Sequence, residues 1–157
     1  MTIDPGKKKK PGKGHYHQTQ LQNMKTGEKG EALVMFALKN KWGKIDPKLK
    51  LSHVSKIDDS LGYDIHAVFN GEDHLIEVKA TKGTFNTSRI FISENEVEVA
   101  KKEGENYYIY FVSEIDSRSP KITVVKNPFD KPHPDFNVCL QPVSHRLSLK
   151  KHHKVVN

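Results

Sequence analysis

Gly62-Tyr63-Asp64-Ile65-His66-Ala67-Val68-Phe69-Asn70-Gly71-Glu72-Asp73-His74-Leu75-Ile76-Glu77-Val78-Lys79-Ala80-Thr81 reads as two strands about one turn. Asn70-Gly71 is a pair that two-residue hairpin loops prefer, because both positions need positive φ and these residues tolerate it. Segment 62–69 alternates before the loop, and segment 73–81 returns after it. A two-residue loop pairs Phe69 with Glu72. Counting back along both arms then brings Asp64 opposite Glu77. Opposed residues share a face, with Cβ atoms about 4.5–5.5 Å apart. Side chains alternate along a strand, so Lys79 joins that face while Ile65 and Ile76 point the other way. A four-residue loop would set Asp64 across from Lys79 and keep the three groups together. A three-residue loop would flip one arm and part them.

Two opposed carboxylates repel one another. Lys79 offsets part of that, and a divalent cation would offset more. Mg²⁺ takes one or two carboxylates plus water and substrate phosphate, which is what this hairpin presents. The plain alternative is an exposed strand face with a charge pair, a common and energetically weak arrangement. Leu75, Ile76 and Val78 weigh against it. They mark a strand buried on at least one face, where ionisable groups need a reason to stay.

Working outward, the spacing of Leu21, Met24, Leu33, Val34, Met35, Phe36, Ala37 and Leu38 predicts a helix from Thr19 to Asn40, interrupted in composition by Gly27 and Gly30. On that helix Glu31 aligns with Met35 and Leu38, an odd place for a carboxylate without a partner. Leu51–Val54 is a short strand candidate, and Arg89–Ile92 is another short alternation. Ser93 with Glu96 forms a capping box that opens a helix running to Glu103, which Gly104 stops. Asn106–Val112 suits a central strand. Asp116–Pro120 is a turn, and Lys121–Lys126 is a further strand. The order predicts one α/β domain with a mixed sheet of four to five strands flanked by helices. Residues 1–18 read as a disordered basic arm, 19–143 as the domain and 144–157 as a basic tail.

The chain has 157 residues and a net charge of +7. Residues 1–14 carry +4 and residues 144–157 another +4, which leaves −1 between them. The basicity therefore belongs to the ends. Lys7, Lys8, Lys9 and Lys10, with Arg146, Lys150 and Lys151, are candidate phosphate contacts of salt-sensitive affinity, or simply solvated arms. No apolar run is long enough to span a membrane, and no apolar stretch follows the basic start as a secretory signal requires. Cys139 is the only cysteine, so no intramolecular disulfide forms and a cytoplasmic home is expected. His15, His17, His152 and His153 lie near the ends, and no spacing matches a structural zinc site. No Gly-rich loop supports ATP or NAD binding.

Gly62-Tyr63-Asp64-Ile65 followed by Ile76-Glu77-Val78-Lys79-Ala80-Thr81 resembles the PD-(D/E)XK nuclease superfamily. More narrowly, the chain resembles the domain at the C-terminus of the plant NO VEIN protein, which also occurs on bacterial restriction and helicase-like proteins. The shared pattern includes Gly30-Glu31, then Phe91-Ile92-Ser93 leading to Asn95-Glu96 and Ala100, then Tyr107-Tyr108-Ile109-Tyr110. It covers residues 25–126. Tyr63 stands where the superfamily's proline usually precedes the aspartate. The resemblance implies a restriction-endonuclease-like fold and Mg²⁺-dependent hydrolysis of phosphodiesters, with Mn²⁺ able to substitute. Asp64, Glu77 and the Val78 carbonyl would hold the metal, Lys79 would orient or activate water, and Glu31 would be the fourth member. The expected substrate is DNA, with RNA as the alternative, in restriction, phage defence or DNA processing. A homodimer or a larger defence or helicase assembly is the expected setting, nucleoid-associated in a bacterium. Lys82 and Arg89 flank the site as candidate phosphate contacts. Glu96 is assigned to capping alone, and no role is assigned to Asn95 or His66. The competing expectation is a non-catalytic nucleic-acid-binding or protein-interaction module on the same fold.

Overall fold

The computed structural model describes residues 13–84, 90–130 and 140, with side-chain surroundings from residue 21 onward. Lys7, Lys8, Lys9, Lys10, Arg89, Cys139, Arg146, Lys150, Lys151, His152 and His153 lie outside the described residues, as do the side chains of His15 and His17. The elements run α1 (Lys13–Trp42), β1 (Lys50–His53), β2 (Ile65–Phe69), β3 (Glu72–Ala80), α2 (Glu94–Glu103), β4 (Tyr107–Ser113) and β5 (Lys121–Lys126). Short 3-10 turns stand at Asp59–Leu61 and Gly104–Asn106. The five strands lie side by side in chain order. All neighbours are antiparallel except β3 and β4, which are parallel. A parallel pair needs a crossover, and α2 lies within it.

The hairpin has the expected register. Phe69 pairs with Glu72, and the pairing continues to Ile65 with Ile76. Asn70 and Gly71 carry φ of 52° and 80°, the left-handed values that their loop demands. The strand expected to begin at Gly62 begins instead at Ile65. Gly62 has φ of 77° and closes the first 3-10 turn, a conformation that no strand residue adopts. A Cβ there would also sit 2.8 Å from Val99 of α2.

Among the described residues, each face of the sheet carries one helix. Val34 and Leu38 of α1 pack with Ile65, Ala67, Ile76, Val78, Tyr110 and Val112. Ala100 of α2 packs with Tyr107 and Ile109, joined by Tyr63, Leu75 and Phe111. Among the described side chains of α1, the buried ones lie from Gly30 onward. Gly30, Val34 and Leu38 recur at a spacing of four on its inner face, whereas Leu21, Met24 and Phe36 are exposed. The apolar count that predicted the helix overstated its core-facing stripe. The helix also begins earlier and ends later than Thr19–Asn40. Gly30 is required by proximity, since a Cβ built on it would lie 2.5 Å from the Ala80 Cβ. At the far end of the same face Trp42 stacks on Phe69 at 4.5 Å, and both ring nitrogens of buried His74 lack a hydrogen-bond partner. The ring of His74 lies 4.9 Å from Tyr108 and 5.0 Å from Trp42.

The capping box forms as expected, with Ser93 and Glu96 exchanging hydrogen bonds. Ile90–Ile92 form no strand; Ile92 packs against the α2 core and Phe91 is exposed. No helix among the described residues is long and apolar enough to cross a membrane.

Candidate active site

Alternation along β3 sends Ile76 and Val78 toward α1 and Glu77 and Lys79 toward α2. Glu77 is 4% exposed, yet its neighbours on that face include charged groups. Lys79 Nζ stands 2.7 Å from Glu77 Oε1 and 2.8 Å from Glu96 Oε2. Glu96 therefore does two things at once: it closes the capping box through the Ser93 N–H and accepts from Lys79. Capping alone had explained it in the sequence, so its second partner went unseen. The only local signal was that α2 starts after the β3 hairpin and opens with acids.

Asp64 reaches this group differently from what strand pairing predicts. The paired ladder stops at Ile65, one residue short. The Asp64 N–H donates to the Ile76 carbonyl at 2.9 Å, and the Asp64 carbonyl accepts from Val54 and Ser55 at 2.8 and 3.2 Å. With its backbone drawn toward the turn after β1, Asp64 does not pair with Glu77. Its side chain turns onto β3, where Oδ2 accepts the Val78 N–H at 2.8 Å. The carboxylate is thus fixed beside the Glu77-Val78-Lys79 stretch by a backbone bond.

Each of these groups lies within electrostatic reach of its neighbours. Burial pushes the Asp64 carboxyl up to about 6, and the nearby Glu31 and Glu96 charges add to the rise despite the Val78 N–H and Lys79. Burial likewise pushes Glu77 up to about 8, against the pull of Lys79. For Lys79 burial alone would lower the value, but Glu77 and Glu96 overturn that and hold it above its ordinary range. The Tyr107 phenol is pushed up by burial first and then by the charges of Glu77, Glu96 and Asp64. Its hydroxyl donates to the Gly62 carbonyl at 2.8 Å and so braces the turn that delivers Asp64. Sequence reasoning missed Tyr107 because an aromatic residue in a central strand reads as core.

Glu31 comes within electrostatic reach of Asp64. Its Oε2 accepts from Ser55 Oγ at 2.7 Å and from His53 Nε2. Lys82 points outward and pairs with Asp116 at 3.3 Å, which Lys29 also holds at 2.7 Å. His66 pairs with Asp73 at 2.6 Å, farther down the hairpin. Asn95 donates to the Ser60 carbonyl at 2.7 Å and ties α2 to the first 3-10 turn.

The matched family model is the C-terminal domain of Protein NO VEIN, over residues 30–125. The chain belongs to the NO VEIN C-terminal family. The match runs from Gly30 to Val125, and so takes in β1 to β4, β5 up to Val125, α2 and each of Glu31, Asp64, Glu77, Lys79 and Glu96. No curated protein and no solved structure matches this NO VEIN-type chain.

Carboxylates are hard oxygen donors, the ligand type that Mg²⁺ takes. Glu77 and Glu96 flank the Lys79 ammonium, Asp64 stands beside Val78, and Glu31 comes within electrostatic reach of Asp64. Among the described residues no three His, Cys, Asp or Glu side chains converge as a ready metal-binding group. Mg²⁺ does not require three, because it keeps several waters and uses one or two carboxylates with substrate oxygens. Asp64 and Glu77 are the two carboxylates here that could take that part.

Proposed function

We propose that this NO VEIN-type domain is a PD-(D/E)XK-like nuclease with a restriction-endonuclease-like fold, hydrolysing phosphodiester bonds in DNA. The observation that carries the reading is the Asp64–Glu77–Lys79 group, in which carboxylates raised by burial stand beside a lysine clamped by Glu77 and Glu96. Such perturbed groups cluster at functional sites because stability alone does not call for them. Asp64, Glu77 and the Val78 carbonyl would hold Mg²⁺, or Mn²⁺ in its place. The bound ion supplies Lewis-acid polarisation of a phosphoryl oxygen and a more acidic water.

The remaining roles fall to the chain itself. The Val78 N–H fixes the rotamer of Asp64. Glu77 and Glu96 hold the Lys79 ammonium in place, where it meets the negative charge that grows on phosphate during displacement. Held from two sides, it needs little reorganisation. Burial of Glu77 keeps bulk water from screening these charges. Restriction, phage defence or DNA processing, in a homodimer or a larger helicase-like assembly, is the setting that the reading favours.

The test is cleavage of supercoiled plasmid, single-stranded DNA and RNA with Mg²⁺ or Mn²⁺. Wild type should cut DNA, while Asp64→Ala and Lys79→Ala should lose at least about 100-fold, the scale of removing a group that stabilises transition-state charge. Cleavage that survives Asp64→Ala sinks the assignment. Binding without cleavage in either metal replaces it with a nucleic-acid-binding module.

A further inference from the structure

Two backbone carbonyls of the turn before β2 are held by side chains from other elements. Tyr107, the fully buried first residue of β4, donates its hydroxyl to the Gly62 carbonyl at 2.8 Å. Asn95, in the first turn of α2, donates its amide to the Ser60 carbonyl at 2.7 Å. Gly62 is itself buried, so its carbonyl needs a donor from within the protein. Asp64 follows two residues later, and its carboxylate ends on the Val78 N–H at 2.8 Å.

The two donors belong to the elements that hold the rest of the site. Asn95 is followed by Glu96, which grips the Lys79 ammonium. Consecutive residues of α2 therefore hold the turn that delivers Asp64 and the lysine of β3. Tyr107 pairs with Leu75, two residues before Glu77. Its phenol lies within electrostatic reach of Asp64, Glu77 and Glu96. The ring is packed with Ala100 and Ile109, which leaves its hydroxyl one place to go. A side chain locked by packing holds a partner more tightly than one on a mobile loop, as a preorganised site requires. β4 is not hydrogen-bonded to β2, so the Tyr107 bond ties the chain before β2 to a strand beyond β3.

We infer that Tyr107 and Asn95 are positioning residues: they set the Gly62 turn against β4 and α2 so that Asp64 meets the Glu77-Val78-Lys79 stretch. The purpose of that placement rests on the nuclease reading above. Both residues act through Asp64.

The experiment uses the full chain. Amide hydrogen exchange is followed residue by residue by NMR, and the kcat and KM of plasmid cleavage with Mg²⁺ are measured alongside. The Val78 amide is the reporter, because its acceptor is Asp64 Oδ2; Asp64→Ala gives the rate without that acceptor. In Tyr107→Phe, exchange at Val78 should rise about 10-fold more than at Val112 in the core, the scale of one hydrogen bond. The kcat should fall by up to about 100-fold with KM little changed, the cost of a misplaced reacting group. Asn95→Ala should shift both in the same direction by less, since Asn95 is exposed. Tyr110→Phe, on the α1 face of the same strand, should match wild type in both. Equal acceleration of Val78 and Val112 would mean that Tyr107 only supports the fold, and overturns the inference. Wild-type kcat in both Tyr107→Phe and Asn95→Ala overturns it and spares the nuclease reading. A wild type that cuts no nucleic acid removes the nuclease reading, and the exchange at Val78 then decides whether these residues place Asp64. If Tyr107→Phe does not fold, Asn95→Ala carries the comparison.

Discussion

Ile76 and Glu77 are consecutive residues of one strand and almost equally hidden, at 0% and 4% exposure. Ile76 faces α1, where Val34, Leu38, Ile65 and Val112 share an apolar cluster with it. Glu77 faces α2, where it meets Lys79, with Glu96 beyond, and its carboxyl is pushed up to about 8 by the same burial that stabilises its neighbour. One face converts burial into stability. The other spends stability to keep charge out of water. The difference shows that the two sides of β3 answer to different requirements, although one alternating pattern wrote both.

The largest effect expected from breaking this comparison is on the dry side. Ile76→Ala should cost about 2–5 kcal/mol, since it removes a fully buried side chain and leaves a cavity. Glu77→Gln should be less damaging in the metal-free protein, because the Lys79 ammonium loses one buried partner but keeps Glu96. Chemical denaturation of the two variants decides the matter; a Glu77→Gln as damaging as Ile76→Ala would mean that the charged face is structural after all. A smaller effect is expected at Gly30. Gly30→Ala should cost about 1–3 kcal/mol by overpacking against Ala80. Ala80→Gly in the same chain should recover most of that, and a double-mutant cycle with no coupling would refute the contact.

The smallest effect concerns His74, the polar residue of the α1 face. Burial holds its imidazole below the ordinary value of 6.5, and no partner satisfies either nitrogen. The unfolded chain therefore binds a proton near 6.5 that the folded chain resists. This contribution to stability is present above 6.5 and is lost as pH falls. His74→Phe should flatten the fall in melting temperature between about pH 7.5 and 5.5 relative to wild type. An unchanged slope would show that His74 does not contribute to it.

The fold was legible wherever the signal was local. Asn70-Gly71 set the hairpin register, Ser93 and Glu96 opened α2, Gly104 ended it, and Lys121–Lys126 is β5 to the residue. These depend on φ preferences, caps and alternation within a few residues. The α1 stripe was less legible, because Leu21, Met24 and Phe36 count as apolar whether or not anything covers them. At the site, alternation placed Glu77 and Lys79 on one face correctly. It could not show that the ladder ends before Asp64, which follows from the left-handed Gly62 and from Val54 and Ser55 claiming the Asp64 carbonyl. Nor could it show the partners of Glu31 or the second role of Glu96. Those bonds join residues far apart in sequence, and hydrogen-bonding residues carry no periodic mark of whom they meet.

The shared use of Glu96 couples two events that would otherwise be independent. Fraying of the first turn of α2 breaks the Ser93–Glu96 exchange, and the same movement withdraws one of the two carboxylates from Lys79. Conversely, whatever draws Lys79 away from Glu96 loosens the start of the helix. Amide hydrogen exchange at the head of α2 thus becomes a remote gauge of what the lysine is doing.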